Sequence, residues 1–265
     1  MPTLYVMAGC NGAGKSYYAT HLIPKDIEYI NPDKMVKEFS KTHPNGTEVQ
    51  AWRHTVSYLN DRLNENKSLA FETTLAGKTA LKKMADAKEK GYRIEFHYIA
   101  LESIEAHHKR VSFRVQNGGH DIPSHDIDRH FRSSYENLPK ALLLADTAAI
   151  YDNSSTLHPA RPVMHIEHGQ ITRLSGSIPE PVRESLKDTQ LKPGERIQVH
   201  KKERAFVELR FKPIESLPEL VQYRGDTLGL EPFSGRPGKE PEKAPSREQT
   251  PPLVLDQGKD IERSR

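Results

Sequence analysis

The sequence predicts an α/β fold: a mostly parallel sheet with helices on both faces, followed by a C-terminal extension. Three observations carry this. Apolar, β-prone stretches alternate with amphipathic helical ones through the first two thirds of the 265 residues. The segment Gly9-Cys10-Asn11-Gly12-Ala13-Gly14-Lys15-Ser16 fits the phosphate-binding template GxxxxGK(S/T) at every fixed position, and it falls between one such strand and one such helix. From about Leu191 the alternation fades, and the chain becomes rich in proline, glycine, glutamate and lysine.

Thr3-Leu4-Tyr5-Val6-Met7 reads as the first strand and Lys15 to Leu22 as the helix after the motif. Glu28-Tyr29-Ile30 follows, and Asn31-Pro32-Asp33 then has the signature of a helix start, with Asn31 as cap and Pro32 in the first turn. Thr47 to Asn66 carries apolar residues at Val49, Trp52, Val56, Leu59 and Leu63, a helical stripe. Leu69-Ala70-Phe71 is a buried strand that runs into Glu72-Thr73-Thr74-Leu75. Gly77 to Lys90 is helical and is stopped by Gly91. Tyr92 to Leu101 alternates as a strand, Ser103 to Gln116 returns to helix, and Asn117-Gly118-Gly119 breaks it. Two helical segments come next, a polar one from Pro123 to Glu136 and an apolar one from Leu138 to Ala145. Ala148 to Tyr151 is a strand ending in Asp152-Asn153-Ser154, and Val163 to Ile166 pairs with Ile171 to Leu174 around a Gly169 turn. Arg196 to Val199 and Phe206 to Phe211 are short candidate strands, limited in length by Pro193 and Pro213. The predicted organisation is a folded domain over 1–187, an accessory segment over 188–224 and a disordered tail over 225–265.

Charged residues make up 28% of the chain and apolar ones 35%, which is polar for a globular protein and implies an ordered core shorter than the chain. A net charge of +3 is too small to imply nucleic-acid binding, and nucleic acid is not an expected partner. Positive charge is gathered in one place instead. Between His107 and Tyr135 stand five Lys or Arg and five His against three Asp, either a solvated helix face or a clamp for a polyanion. Cys10 is the only cysteine, which excludes intramolecular disulfides and fits a reducing compartment. No apolar run approaches bilayer length, and the first residues enter a strand without a basic-then-apolar leader, so the expected location is the cytoplasm with no membrane partner.

The motif is a P-loop, which makes the expected sheet one of the P-loop NTPase type. Its glycines let the backbone turn N–H groups inward around phosphate oxygens, at the positive end of the following helix. Gly9, Cys10, Asn11, Gly12, Ala13, Gly14, Lys15 and Ser16 are therefore the expected nucleotide cradle. Lys15 would reach the β and γ phosphates and the Ser16 hydroxyl would ligate magnesium, so ATP and Mg2+ are the cofactors implied. The template leaves the position of Cys10 free, and its thiol is assigned no chemistry. A P-loop alone fits kinases, GTPases and mechanical ATPases. There is no recognisable guanine-reading NKxD, and the strand through Tyr98 ends in Leu101-Glu102 where a mechanical ATPase would show an apolar strand ending in Asp. A carboxylate soon after the first helix and a basic central lid suit phosphoryl transfer to a small metabolite, which is catalysed almost entirely by positioning and charge neutralisation.

Taken together, Ala8 through Ser16, Asn31-Pro32-Asp33, Phe71-Glu72-Thr73-Thr74-Leu75, Arg114 with Gly118-Gly119-His120-Asp121-Ile122-Pro123, Arg129 and Arg132, and Tyr151-Asp152-Asn153-Ser154 resemble a zeta toxin domain over residues 1 to about 187. The pairing of FETTL with GGHxIP makes the resemblance more specific than the P-loop does. It implies a P-loop kinase fold and, as in characterised zeta toxins, ATP-dependent phosphorylation of UDP-N-acetylglucosamine on a sugar hydroxyl. It implies an antitoxin protein as partner where the chain belongs to a toxin–antitoxin pair.

Position by position, the resemblance makes Lys15 and Ser16 the phosphate and magnesium residues, Asp33 the catalytic base, and Glu72 and Thr74 the groups that orient the acceptor. A carboxylate in the first turn of a helix stays ionised and can take a proton late in the transition state. Asp33 is thus either the base or merely an aid to the cap. Glu72 is either a ligand group or one half of a buried salt bridge. Arginines clamp the transition state in the family, and the lid offers Arg110, Arg114, Arg129 and Arg132; Arg114 and one of Arg129 or Arg132 are expected in that role. His120 is expected as a lid latch at the acceptor side, and Asn153 as a border of the adenine. The predicted activity is ATP- and magnesium-dependent phosphorylation of a small metabolite. A kinase for another small acceptor or a nucleic-acid end, and a nucleotide-gated interaction module, stay open beside it. The extension from about Thr189 lies outside the minimal domain and identifies no partner.

Overall fold

Successive side chains of a strand point to opposite faces of its sheet, and in β1 (Thr3–Ala8) each face meets a core, fully buried at Leu4, Val6, Met7 and Ala8 and partly at Tyr5. Leu4, Val6 and Ala8 enter one core, together with Leu59 and Leu63, Met84, and Leu138 and Leu142. Met7 enters another with Ala19 and Ile23. A strand covered on both faces is what a parallel sheet between helical layers requires.

The computed structural model describes residues 1–174, 177–187, 189, 191–199 and 221–222. All of them lie in one unit, Met1–Leu230. In chain order the elements are β1, α1 (Lys15–Leu22), β2 (Glu28–Ile30), α2 (Pro32–Thr42), α3 (Glu48–Asn64), β3 (Leu69–Thr73), α4 (Lys78–Glu89), β4 (Arg93–Ala100), α5 (Ile104–Gln116), α6 (Ser124–Leu144), β5 (Thr147–Asp152), β6 (Arg161–Glu167), β7 (Gln170–Leu174), α7 (Glu180–Ser185), β8 (Lys192–Val199) and β9 (Val221–Gln222). The strand order is β2-β3-β1-β4-β5-β6-β7-β8-β9. Strands β2 to β5 are parallel neighbours, β6 and β7 add an antiparallel hairpin, and β8 and β9 continue in parallel beyond it. The predicted mostly parallel sheet with helices on both faces is the fold observed.

The register sets the site. Ala8 lies beside Thr73 and Tyr98, so the tips of β3 and β4 flank the loop that leaves β1. Ile30, at the end of β2, pairs with Phe71 and brings Asn31 alongside Glu72.

Four details differ from the sequence reading. The buried face of α3 is Ala51, Thr55, Leu59 and Leu63, while Val49 and Trp52 stand 59% and 45% exposed. The predicted stripe followed apolar identity, whereas small Ala51 and Thr55 are what the first turns bury. The two predicted helical segments over Pro123–Ala145 are one helix, α6, running through Pro139. Proline removes one helical hydrogen bond, but the turns on either side of it are held by buried Leu138, Ala141 and Leu142 and by Asn137 Nδ2 donating to Leu75 O at 3.0 Å. The short helix α7 was not foreseen; Ile178, Val182 and Leu186, four apart and all buried, are the signal that marks it. The strand foreseen at Arg196–Val199 begins earlier, at Lys192, while the one at Phe206–Phe211 and the predicted tail over 225–265 lie outside the described residues.

Candidate active site

The loop after β1 is shaped by backbone that only glycine adopts readily. Gly9 has φ +141, and a Cβ there would collide with the carbonyl oxygen of Ile99. Gly14 caps α1 in the left-handed region, with φ +96, and a Cβ there would lie 2.8 Å from Asn153 Nδ2. Both close approaches draw the loop onto β4 and β5. Asn153, buried at the end of β5, donates from Nδ2 to Ala13 O at 2.8 Å, and its Oδ1 accepts from Tyr18 OH at 3.2 Å. Its backbone carbonyl accepts from Arg110. Asn153, the expected adenine border, thus also clamps the P-loop, with both ends of its side-chain amide engaged by the chain itself.

Two histidines hold the other side. His107 Nδ1 lies 2.7 Å from Asn11 O, and His130 Nδ1 lies 2.7 Å from Asn11 Oδ1. A carbonyl can only accept, so the His107 proton sits on Nδ1. Nε2 is then bare, buried and unpartnered among the described residues. Burial lowers the His107 pKa to about 4, which keeps the ring neutral. The buried Cys10 thiol is pushed up to about 11 by the same cause, against the opposing charge of Lys15, and is inert as a nucleophile.

Lys15 and Glu72 form the centre. Lys15 Nζ donates to Cys10 O at 3.3 Å and lies 3.6 Å from Glu72 Oε1, both residues being buried. Glu72 Oε2 accepts from Ser16 Oγ at 2.7 Å, Tyr29 OH at 2.5 Å and Asn31 Nδ2 at 2.9 Å. Such donors compensate a buried carboxylate. Burial and the adjacent Glu72 charge raise the Tyr29 pKa, so the phenol remains a donor. The Ser16 hydroxyl and the Glu72 carboxylate are two hard oxygen donors side by side, the donor set that suits magnesium.

Asn31 does double duty. Its Oδ1 accepts from Lys34 N at 3.1 Å, which caps α2, while its Nδ2 reaches Glu72. The cap is therefore supplied, and the exposed Asp33 carboxylate has no hydrogen bond or ion pair among the described residues. Asp33 lines a cleft of about 520 Å³ together with Asn11, Lys15, Glu72, Thr74 and Arg129. Thr74 arrives there through a turn in which Thr73 Oγ1 accepts from Leu75 N at 2.9 Å and Leu75 adopts φ +59. A buried leucine in that region is strained, and it sits where β3 delivers its polar tip.

The lid arginines divide. Arg129 lines the cleft and pairs with Asp126 on its own helix. Arg132 is exposed and does not line it. Arg114, expected in the cleft, folds back over the α5–α6 turn and donates from Nη2 to His120 O at 2.7 Å. Helix α5 ends there in a Schellman arrangement, with Gly118 N bonding Val115 O and Gly119 N bonding Arg114 O. The Gly-Gly pair is thus a helix stop that Arg114 fastens, and exposed His120 offers it a backbone carbonyl from outside the cleft lining. Sequence reasoning missed Tyr29 and Asn31 as partners of Glu72, His130 as a latch on the P-loop, and Trp52 as a cleft residue.

The family model for zeta toxins matches residues 1–160, a span that holds every residue of this cleft. The chain belongs to the zeta toxin family. A Haemophilus influenzae protein described as uncharacterized is 26% identical to this zeta toxin family member over 114 residues, 43% of this chain and 81% of that protein. Among solved structures, the AvrRxo1-ORF1:-ORF2 complex with ATP aligns with TM-score 0.52 and 17% identity, over 79% of this chain and 76% of that one. The native form of that complex aligns with TM-score 0.50 and 18% identity, over 82% and 73%. At these identities the likeness is one of fold.

Proposed function

We propose that this zeta toxin family member is an ATP- and magnesium-dependent kinase that transfers the γ-phosphoryl group to a hydroxyl of a small metabolite, with UDP-N-acetylglucosamine as the first candidate acceptor. The observation that carries this reading is the convergence of the P-loop lysine, a first-turn carboxylate free of partners and a lid arginine on one cleft. Nucleotide phosphates take the place of Glu72 and Cys10 O as partners of Lys15. Ser16 Oγ and Glu72 would hold magnesium, which when bound would supply positive charge to the nucleotide phosphates. Glu72 is thereby assigned to the nucleotide side of the cleft more than to the acceptor side, because its donors include Ser16.

Asp33 accepts the proton of the acceptor hydroxyl as its oxygen bonds to the γ-phosphorus and the bond to the β-phosphate oxygen breaks, releasing ADP. Arg129 supplies fixed charge to the group in transfer. Thr74 holds the acceptor. Arg114 acts at one remove, by fixing the turn between the two lid helices. The family's name and the two-chain complex in which the structural neighbour was solved support a protein partner that restrains the enzyme. No helix among the described residues is long and apolar enough to cross a membrane.

The test is mass spectrometry of a metabolite pool incubated with the protein, ATP and magnesium. One metabolite gains the mass of a phosphate, and the Lys15→Ala protein leaves the pool unchanged. An equally active Lys15→Ala protein would refute the site.

A further inference from the structure

Trp52 is the single tryptophan of the chain, and its side chain is 45% exposed on α3. Tryptophan is on average a well-buried residue whose large flat face is its main means of stabilising anything. Other exposed apolar side chains, such as Phe113 and Leu157, stand away from the cleft and need no special account. Trp52 differs because it lines the cleft that holds Asp33, Thr74 and Arg129. It also lines an annex of about 90 Å³ whose walls mix apolar Val56, Leu59 and Phe71 with polar Thr55, Glu72 and Lys83. Pro32 and Thr74 border both spaces, so the indole stands at the junction between them. Among the described residues no aromatic ring stacks on it and its N–H has no partner, although Phe39 stacks on His43 and meets His54 at a tilt.

Resting on the kinase reading above, we infer that Trp52 is the platform for a ring of the acceptor, and that the annex takes a small group beside that ring. The ring lies on the indole with the acceptor hydroxyl toward Asp33, since Pro32, the residue before that carboxylate, forms the adjacent wall. The annex has room for a group of a few heavy atoms. Trp52 thus determines which acceptors bind, and takes no part in the proton or phosphoryl movements.

The same residue reports on its own occupancy, because it is the sole source of tryptophan fluorescence. The full chain, held with a non-hydrolysable ATP analogue and magnesium, is titrated with UDP-N-acetylglucosamine, with uridine 5′-diphosphate and with N-acetylglucosamine 1-phosphate. A saturable change in emission is expected with the first. A matching change with the uridine compound assigns the stacked ring to the base, and with the sugar phosphate to the sugar. In turnover, Trp52→Ala raises the acceptor KM about tenfold or more, while the ATP KM stays within about twofold and Trp52→Phe restores most of the loss. Emission silent toward all three compounds, or phosphoryl transfer with an unaltered acceptor KM in Trp52→Ala, overturns the platform while leaving the kinase reading intact. A saturable signal without transfer to any acceptor keeps the platform and removes the kinase reading.

Discussion

Asn153 Nδ2 donates to Ala13 O at 2.8 Å, joining the end of β5 to the P-loop from 140 positions away. Gly14, beside it, admits no side chain on that flank. The P-loop is therefore held on β5, as well as by the strand and helix it connects. Asn153→Ala removes this tether and leaves Ala13 O without its partner. The expected outcome is an ATP KM raised about tenfold, with GTP affected by the same factor and a loss of about 1–3 kcal/mol in unfolding free energy. Steady-state kinetics with both nucleotides check it. A loss confined to ATP would restore Asn153 to the adenine.

Asn31 caps α2 and leaves Asp33 free, so the two residues separate stability from chemistry. Asp33→Asn is expected to lower kcat about a hundredfold or more with the ATP KM nearly unchanged. Its thermal midpoint stays close to that of the parent chain. Asn31→Ala does the opposite first: loss of the cap costs about 1 kcal/mol, and Glu72 loses one donor. Thermal melts and turnover of the two variants, measured side by side, distinguish the roles. A destabilised Asp33→Asn protein would return that carboxylate to the helix start.

What the sequence shows of this site follows the range over which each constraint acts. The P-loop is legible because its demands fall on contiguous residues: glycines at strained dihedrals, then a lysine and a hydroxyl at the helix start. Asn31-Pro32-Asp33 is legible for the same reason, a cap being a local bargain between a side chain and the next turn. The surroundings of Glu72 are not. Its donors come from α1, β2 and the start of α2, and only the strand order brings them together. Arg114 misleads because helical spacing predicts the face it occupies but not the pull of the Gly118-Gly119 turn next to it. Trp52 misleads in the other direction. Its helical spacing places it in the apolar stripe of α3, and the structure leaves it at a cavity.

His107 gives the protein a pH dependence in the mildly acid range. Its pKa falls from the ordinary 6.5 to about 4, burial being the main cause. His130 shifts in the same direction, through burial first and the Arg129 charge second. As pH falls the unfolded chain therefore takes up protons before the folded one does. The stability associated with a neutral His107 is whole above pH 6.5 and declines toward pH 4, with a slope of at most about 1.4 kcal/mol per pH unit for one proton. Gln at this position can donate to Asn11 O but cannot titrate, so His107→Gln should melt with a shallower pH dependence across that window. Equal slopes for both proteins would show that another group carries the effect.

Three of the four lid arginines make the sharpest test of which positive charge reaches the phosphoryl group. Arg129 lines the cleft, Arg132 is exposed outside it, and Arg114 is fastened to the His120 carbonyl. Arg129→Ala should lower kcat about a hundred- to a thousandfold, the usual cost of removing one fixed donor from a developing charge. Arg132→Ala should stay within about twofold of the parent chain, since it leaves the cleft lining intact. Arg114→Ala frees the turn between α5 and α6, so its effect belongs to lid order. Hydrogen exchange over residues 117–123 should rise, with kcat and the acceptor KM worsening together. The decisive comparison is Arg114 with Arg129 by these two readouts. If removing Arg114 abolished turnover while exchange in the lid stayed unaltered, its guanidinium would have to leave His120 and swing into the cleft during the reaction.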